Sequence, residues 1–169
     1  LDADRPIAFL LSGGVDSSLV ASIAARYIGQ PIRTFCCGIK GSTDLKSARL
    51  VADHIGSNHT EVYFTEEEGL ARIPKVIKTI ESWCTTTVRA SVGQDIVVEH
   101  IGKHTDCKVV MVGEGPDEVC NSYLFNYYCP KDEIHNTAVE YVKNIHMYDG
   151  RRADRCTSNW GLEARVPLL

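Results

Sequence analysis

Between residues 8 and 20 an apolar run breaks at Ser12, Gly13 and Gly14, passes Val15, Asp16, Ser17 and Ser18, and at once becomes a stretch of helical period. A strand, a small-residue turn and a helix start make anion-binding architecture: the glycines permit tight or positive-φ geometry and close approach, and the unpaired amides at the helix start point outward. Ser12, Ser17 and Ser18 add hydroxyls. A phosphate loop of the G-x-x-x-x-G-K-[ST] type would carry a lysine, but this one carries Asp16. A carboxylate beside a polyphosphate requires a cation between them, so Asp16 points to Mg²⁺, which takes one or two carboxylates plus phosphate oxygens. The plainer alternative is a βα turn in which Asp16 caps the helix.

A second loop follows the apolar run 108–112 and holds Gly113, Glu114, Gly115, Pro116, Asp117 and Glu118. If it lies beside the first, Asp117 can share the metal with Asp16; standing alone, it would read as a solvated acidic turn. His100 and His104, at i, i+4, could share one helix face as metal ligands, but no HExxH carboxylate lies between them. Seven cysteines form no C-x-x-C pair, which suggests reduced, mostly buried thiols rather than a disulfide framework or a zinc knuckle.

The elements that must position these groups alternate in type. Strands are predicted at 7–11, 32–39, 59–64 and 108–112, and helices at 17–28, 44–55, 66–82, 94–103 and 133–147, with a turn at 114–121. The first helix is expected to be amphipathic through Leu19, Val20, Ile23, Ala24 and Tyr27, and the second through Leu45, Ala48, Leu50, Val51 and Ile55. This is the βαβ pattern of an α/β fold: a doubly wound, mostly parallel sheet with helices on both faces, whose ligands bind outside the carboxyl ends of the strands. Trp83 and Trp160 are expected in the core.

With 169 residues and 44% hydrophobic content, one domain is the default. A net charge of −4 weighs against a nucleic-acid-binding domain. Neither a membrane-spanning run nor a signal peptide is visible, and with the reduced thiols this gives a cytoplasmic expectation. The start at Leu1 and the apolar finish at 166–169 suggest ends cut from something longer.

Ser12, Gly13, Gly14, Asp16 and Ser17 resemble the pyrophosphate loop of the N-type ATP pyrophosphatases, which implies an adenine nucleotide alpha-hydrolase-like fold and cleavage of ATP to AMP and pyrophosphate. The acidic loop at 112–118, the segments 41–48 and 86–91, and the motifs at 146–155 and 160–169 are similar, in chain order, to the synthetase domain of the asparagine synthetases. The resemblance implies a glutamine-hydrolysing carbon–nitrogen ligase that uses ATP and Mg²⁺ to convert aspartate and ammonia to asparagine through β-aspartyl-AMP. It places Leu11, Cys37 and Gly113 at the adenosine, Ser12, Gly13, Gly14, Asp16 and Ser17 at the pyrophosphate, and Asp117 at Mg²⁺ and pyrophosphate. Glu114 becomes the catalytic carboxylate. Arg152 is assigned to catalysis and, with Tyr123 and Asp149, to the aspartyl intermediate; one cation and one anion suit a dicarboxylic amino acid, although at i, i+3 they also read as a helix ion pair.

The resemblance further implies that residues 1–169 are an ATP-pyrophosphatase-type synthetase domain, short of its C-terminal helices and lacking an N-terminal glutaminase domain, with room for a homodimer in the full-length form. The sequence departs from the family at Val112 and Pro116, each in place of serine, and at Asn121 and Ser122, in place of two glycines. Tyr141 stands in register with the family's lysine, and Lys143 takes that place only across a gap. Two alternatives stay open: adenylation of another carboxylate, as in β-lactam synthetases, and a nucleotide-binding domain without catalysis. The tRNA-thiolation branch is disfavoured by the absence of cysteine pairs and of a basic surface.

Overall fold

Five short strands, β1 (Ile7–Leu10), β2 (Arg33–Gly38), β3 (Asn58–Tyr63), β4 (Val109–Met111) and β5 (Glu163–Arg165), form one parallel sheet in the order β3-β2-β1-β4-β5. The computed structural model describes residues 3–169. Helices α1 (Val15–Ile28), α2 (Thr43–Ile55), α3 (Glu66–Ile80), α4 (Thr85–His104), α5 (Pro116–Cys120), α6 (Ile134–Asn144) and α7 (Asp149–Ser158) complete the fold. Alternation along the strands sends side chains to opposite faces. Ala8, Phe35, Val110 and Val112 join a core with α3, α4 and α7; Phe9, Leu11, Cys36, Val109 and Met111 join a second core with α1 and α2. The chain winds outward from β1 in both directions, so the switch point of the sheet lies between β1 and β4, where a doubly wound fold opens a crevice.

Helix starts follow local chemistry. Thr65 and Glu68 close a capping box before α3: Thr65 N–H donates to Glu68 Oε2 at 2.7 Å, and Glu68 N–H donates to Thr65 Oγ1 at 3.2 Å. Thr65→Ala is expected to cost about 1 kcal/mol. Thermal unfolding should then show a midpoint lower by about 2–4 °C, and an unchanged midpoint would mean that the cap contributes nothing.

Several expectations change. Helix α4 begins at Thr85 rather than at residue 94, because the β-branched run 85–88 is a poor helix former on its own and is held by burial of Thr87, Val88, Ser91 and Val92. The acidic turn contains helix α5, with Pro116 at its first position. β5 is too short and polar to show alternation. In α1 the small residues Ala21 and Ala24 face the sheet, so Leu19, Ile23 and Tyr27 are exposed; in α2, Leu50 is exposed while Leu45, Ala48 and Ala52 are buried. Trp83 is not a core residue but 87% exposed, between α3 and α4. Trp160 does pack on the first core, its indole N–H donating to the fully buried Asp95 at 2.9 Å.

The thiols are free; Cys36, Cys107 and Cys156 are buried, whereas Cys120 is exposed. The His100 and His104 rings do share a face of α4, 4.8 Å apart. Among the described residues no group of three or more His, Cys, Asp or Glu side chains could hold a metal ion, and no helix is long and apolar enough to cross a membrane.

Candidate active site

The loop leaving β1 is held open as a cradle by its own serines. Ser12 Oγ lies 3.0 Å from Ser17 Oγ and accepts from Gly14 N–H at 3.3 Å, while Ser12 N–H donates to Ser17 Oγ at 3.2 Å. Gly14 is the N-cap of α1, so Asp16 does not cap the helix but stands in its first turn. Helix geometry leaves the amides of Val15, Asp16 and Ser17 without intrahelical acceptors, beside two hydroxyls, which is the arrangement that receives phosphate oxygens.

The β4 loop closes directly on this cradle. A Cβ added to Gly113 would lie 2.7 Å from the Ser17 nitrogen and 3.1 Å from the Asp16 carbonyl carbon, so only glycine allows the approach. Glu114, next in the chain, is thereby carried to the crevice, where Arg152 of α7 donates to it at 2.5 Å and pairs with Asp149 at 2.9 Å. Arg152 and Glu114 are 15% and 23% exposed at their side chains. Burial raises the Glu114 carboxyl to about 6 despite the guanidinium, and the negative charges of Asp149, Glu118 and Asp117 push the same way.

A cavity of about 420 Å³ joins these parts. Leu11, Ser12, Gly14, Asp16, Ser17, Cys37, Gly113, Glu114 and Arg152 all line it. Gly13 sits behind the loop, its α-hydrogen face against α2 near Ser47 and Ala48. Asp149 reaches the site through Arg152. Asp117 is exposed on α5, and neither it nor Tyr123 is among the residues that line the cavity. Lys143 is exposed near the end of α6, whereas Tyr141 packs against the Tyr123 and Phe125 rings, at 6.0 and 5.4 Å.

The sequence does not single out Glu118. It is buried on α5, accepts a hydrogen bond from the Tyr123 hydroxyl, and has its carboxyl pushed up by burial. Glu114, Glu118, Asp149, Arg152 and Tyr123 thus form one ionisable network beside the cradle. The signal for Glu118 was a second glutamate four residues after the first, which only burial separates from a solvated acidic turn.

For a metal, Asp16 is the suitable donor: it lines the cavity beside the phosphate-type cradle, and Mg²⁺ needs only one or two carboxylates when phosphate oxygens supply the rest.

A family model described as asparagine synthase matches residues 1–138. Over 179 aligned positions the chain is 44% identical to asparagine synthetase [glutamine-hydrolyzing] 3 of Arabidopsis thaliana and 43% identical to the asparagine synthetase [glutamine-hydrolyzing] of Sandersonia aurantiaca; all of this chain is covered, with 31% and 34% of those proteins. It therefore spans about a third of the length of these relatives. Among solved structures, a chain described as a predicted subunit of tRNA methyltransferase from Methanocaldococcus jannaschii superposes with a TM-score of 0.52 at 16% identity, covering 98% of this chain and 68% of that one, and shares the α/β fold. By the extent of the family match and its agreement with the two-loop crevice, the chain belongs to the asparagine synthase family.

Proposed function

We propose that residues 1–169 are the ATP-binding, adenylate-forming part of an asparagine synthetase. One observation carries the reading: the Ser12–Ser17 cradle and the Glu114–Arg152 pair share one cavity at the switch point of the sheet. In this reading the amides and hydroxyls of the cradle bind the β and γ phosphates of ATP, and Leu11, Cys37 and Gly113 adjoin the adenosine. Arg152, with Asp149, orients aspartate. A β-carboxylate oxygen of aspartate attacks the α phosphorus, the bond to the bridging oxygen breaks, and pyrophosphate leaves into the cradle, whose donors are already oriented for the developing charge.

Ammonia then attacks the acyl carbon of β-aspartyl-AMP; Glu114 accepts a proton from the incoming nitrogen as the C–O bond to AMP breaks, releasing asparagine and AMP. Mg²⁺ held by Asp16, with Asp117 as a second candidate carboxylate, would supply charge neutralisation on the phosphates. The relatives' names carry glutamine hydrolysis, so the ammonia is assigned to a separate glutaminase domain.

Aspartate-dependent exchange of labelled pyrophosphate into ATP by the full-length enzyme tests the first half reaction. Formation of ADP and phosphate would sink the reading, and exchange stimulated by another carboxylic acid but not by aspartate would select a β-lactam synthetase-like acceptor instead. The second half reaction has a pH signature. Glu114 must be a carboxylate to accept a proton, and its carboxyl is raised to about 6, so base function is present above that value and lost as pH falls through it. We expect kcat/KM for amide formation, expressed per unprotonated ammonia, to show an acid limb near pH 6. A flat profile between pH 5 and 7 would remove Glu114 from that role.

A further inference from the structure

We propose that Gln94 is the side chain that reads the nucleobase, taking the Watson–Crick or Hoogsteen edge of an adenine. The proposal rests on the ATP reading above and deepens it. Gln94 projects from α4, is 8% exposed, and lines the same cavity as the cradle. Neither its Oε1 nor its Nε2 has a hydrogen-bond partner, and among the described residues it alone buries two such unpaired side-chain atoms. Its neighbours on the helix are satisfied: Ser91 donates to the Thr87 carbonyl at 2.6 Å, and Asp95 pairs with Arg72 at 2.9 Å and accepts from Trp160. A buried primary amide without partners is costly, and such groups are ordinarily paired by protein, water or ligand.

The surroundings suit a flat heterocycle. Leu10, Phe35, Val97 and Val112 supply apolar wall, and the Cys37 thiol donates to the Gly93 carbonyl at 3.0 Å, joining the end of β2 to α4 next to Gln94. The terminal torsion of glutamine is broad and soft, so turning the amide toward the cavity costs little. Adenine presents an amino donor beside a ring-nitrogen acceptor, which complements one amide oxygen and one amide NH₂. The reversed amide would meet guanine's O6 and N1–H, so the test includes GTP.

The experiment is calorimetric titration of the protein, wild type and Gln94→Leu, with ATP, purine riboside triphosphate (which lacks the 6-amino group), GTP and tripolyphosphate. We expect the wild type to bind ATP about tenfold more tightly than purine riboside triphosphate. In Gln94→Leu that distinction should collapse to within about twofold while tripolyphosphate binding is unchanged, and the ligand-free protein should unfold at no lower temperature because the unpaired amide is gone. Equal binding of the two purine nucleotides by the wild type, or tighter binding of GTP than of ATP, overturns the assignment whether or not the variant folds. Failure to bind either ATP or tripolyphosphate would instead overturn the ATP reading, and with it this inference.

Discussion

On the proposed reaction, replacing Glu114 with glutamine is expected to lower asparagine formation by about 10²–10⁴-fold while leaving ATP affinity within about threefold of the wild type. The amide keeps the shape of the carboxyl and one hydrogen bond to Arg152, but it cannot accept a proton from the attacking ammonia. The local electrostatics favour such a role. Burial raises Glu114 to about 6, and the opposing Arg152 keeps it from rising further, so near neutral pH it is ionised yet basic enough to receive a proton. The checks are asparagine formed at saturating ammonia and ATP affinity by direct titration, both on the full-length enzyme. A variant with a rate within threefold of the wild type would show that Glu114 only pairs Arg152.

Gly13→Ala should have the largest effect on stability. Gly13 has φ of +81°, and an added Cβ would lie 2.5 Å from the Ser47 carbonyl carbon and 2.6 Å from the Ala48 nitrogen. Both are backbone atoms of α2, and α2 cannot retreat without opening the contact that Leu45, Ala48 and Ala52 make with the second core. The left-handed conformation costs an L-residue about 1–2 kcal/mol, and overpacking a further 1–3 kcal/mol. Together they predict a loss of about 3 kcal/mol, or a fall of about 10 °C in the unfolding midpoint. Gly29→Ala separates the two terms, because Gly29 has φ of +68° but nothing within 4 Å of the added Cβ. That variant should lose only the conformational part. Equal losses in the two variants would show that the contact between Gly13 and α2 yields without cost. Since Gly13 lies between Ser12 and the first turn of α1 that holds Ser17, Gly13→Ala should also weaken tripolyphosphate binding, whereas Gly29→Ala should not.

The strands and the cradle were legible because their signals are local. Apolar runs bounded by turn residues placed β1, β2, β3 and β4 to within a residue or so, and the serines and glycines at 12–14 and 17 belong to one strand–turn–helix unit. The family motifs point further, to Glu114, Asp149 and Arg152, which the structure brings into contact. For the buried face of α1, hydrophobicity alone favours Leu19, Ile23 and Tyr27, whereas close packing on the sheet selects the small Ala21 and Ala24. Trp83 departs from expectation for a related reason: an indole signals a large apolar area but not whether a neighbouring element arrives to cover it.

By itself, then, the sequence determined an α/β chain with a serine- and glycine-rich strand–turn–helix loop after its first strand and a second acidic loop after another, since each depends on residues adjacent in the chain. The tertiary structure decided which groups meet. β4 beside β1 brings Gly113 against Ser17, and α7 packed behind α4 brings Arg152 to Glu114 across 38 residues of chain. It also moved Asp117 and Tyr123 outside the cavity lining and left the Gln94 amide without a partner. Burial and proximity are sums over neighbours distant in sequence, so a carboxyl raised to about 6 and an unpaired amide exist only once the sheet order is set.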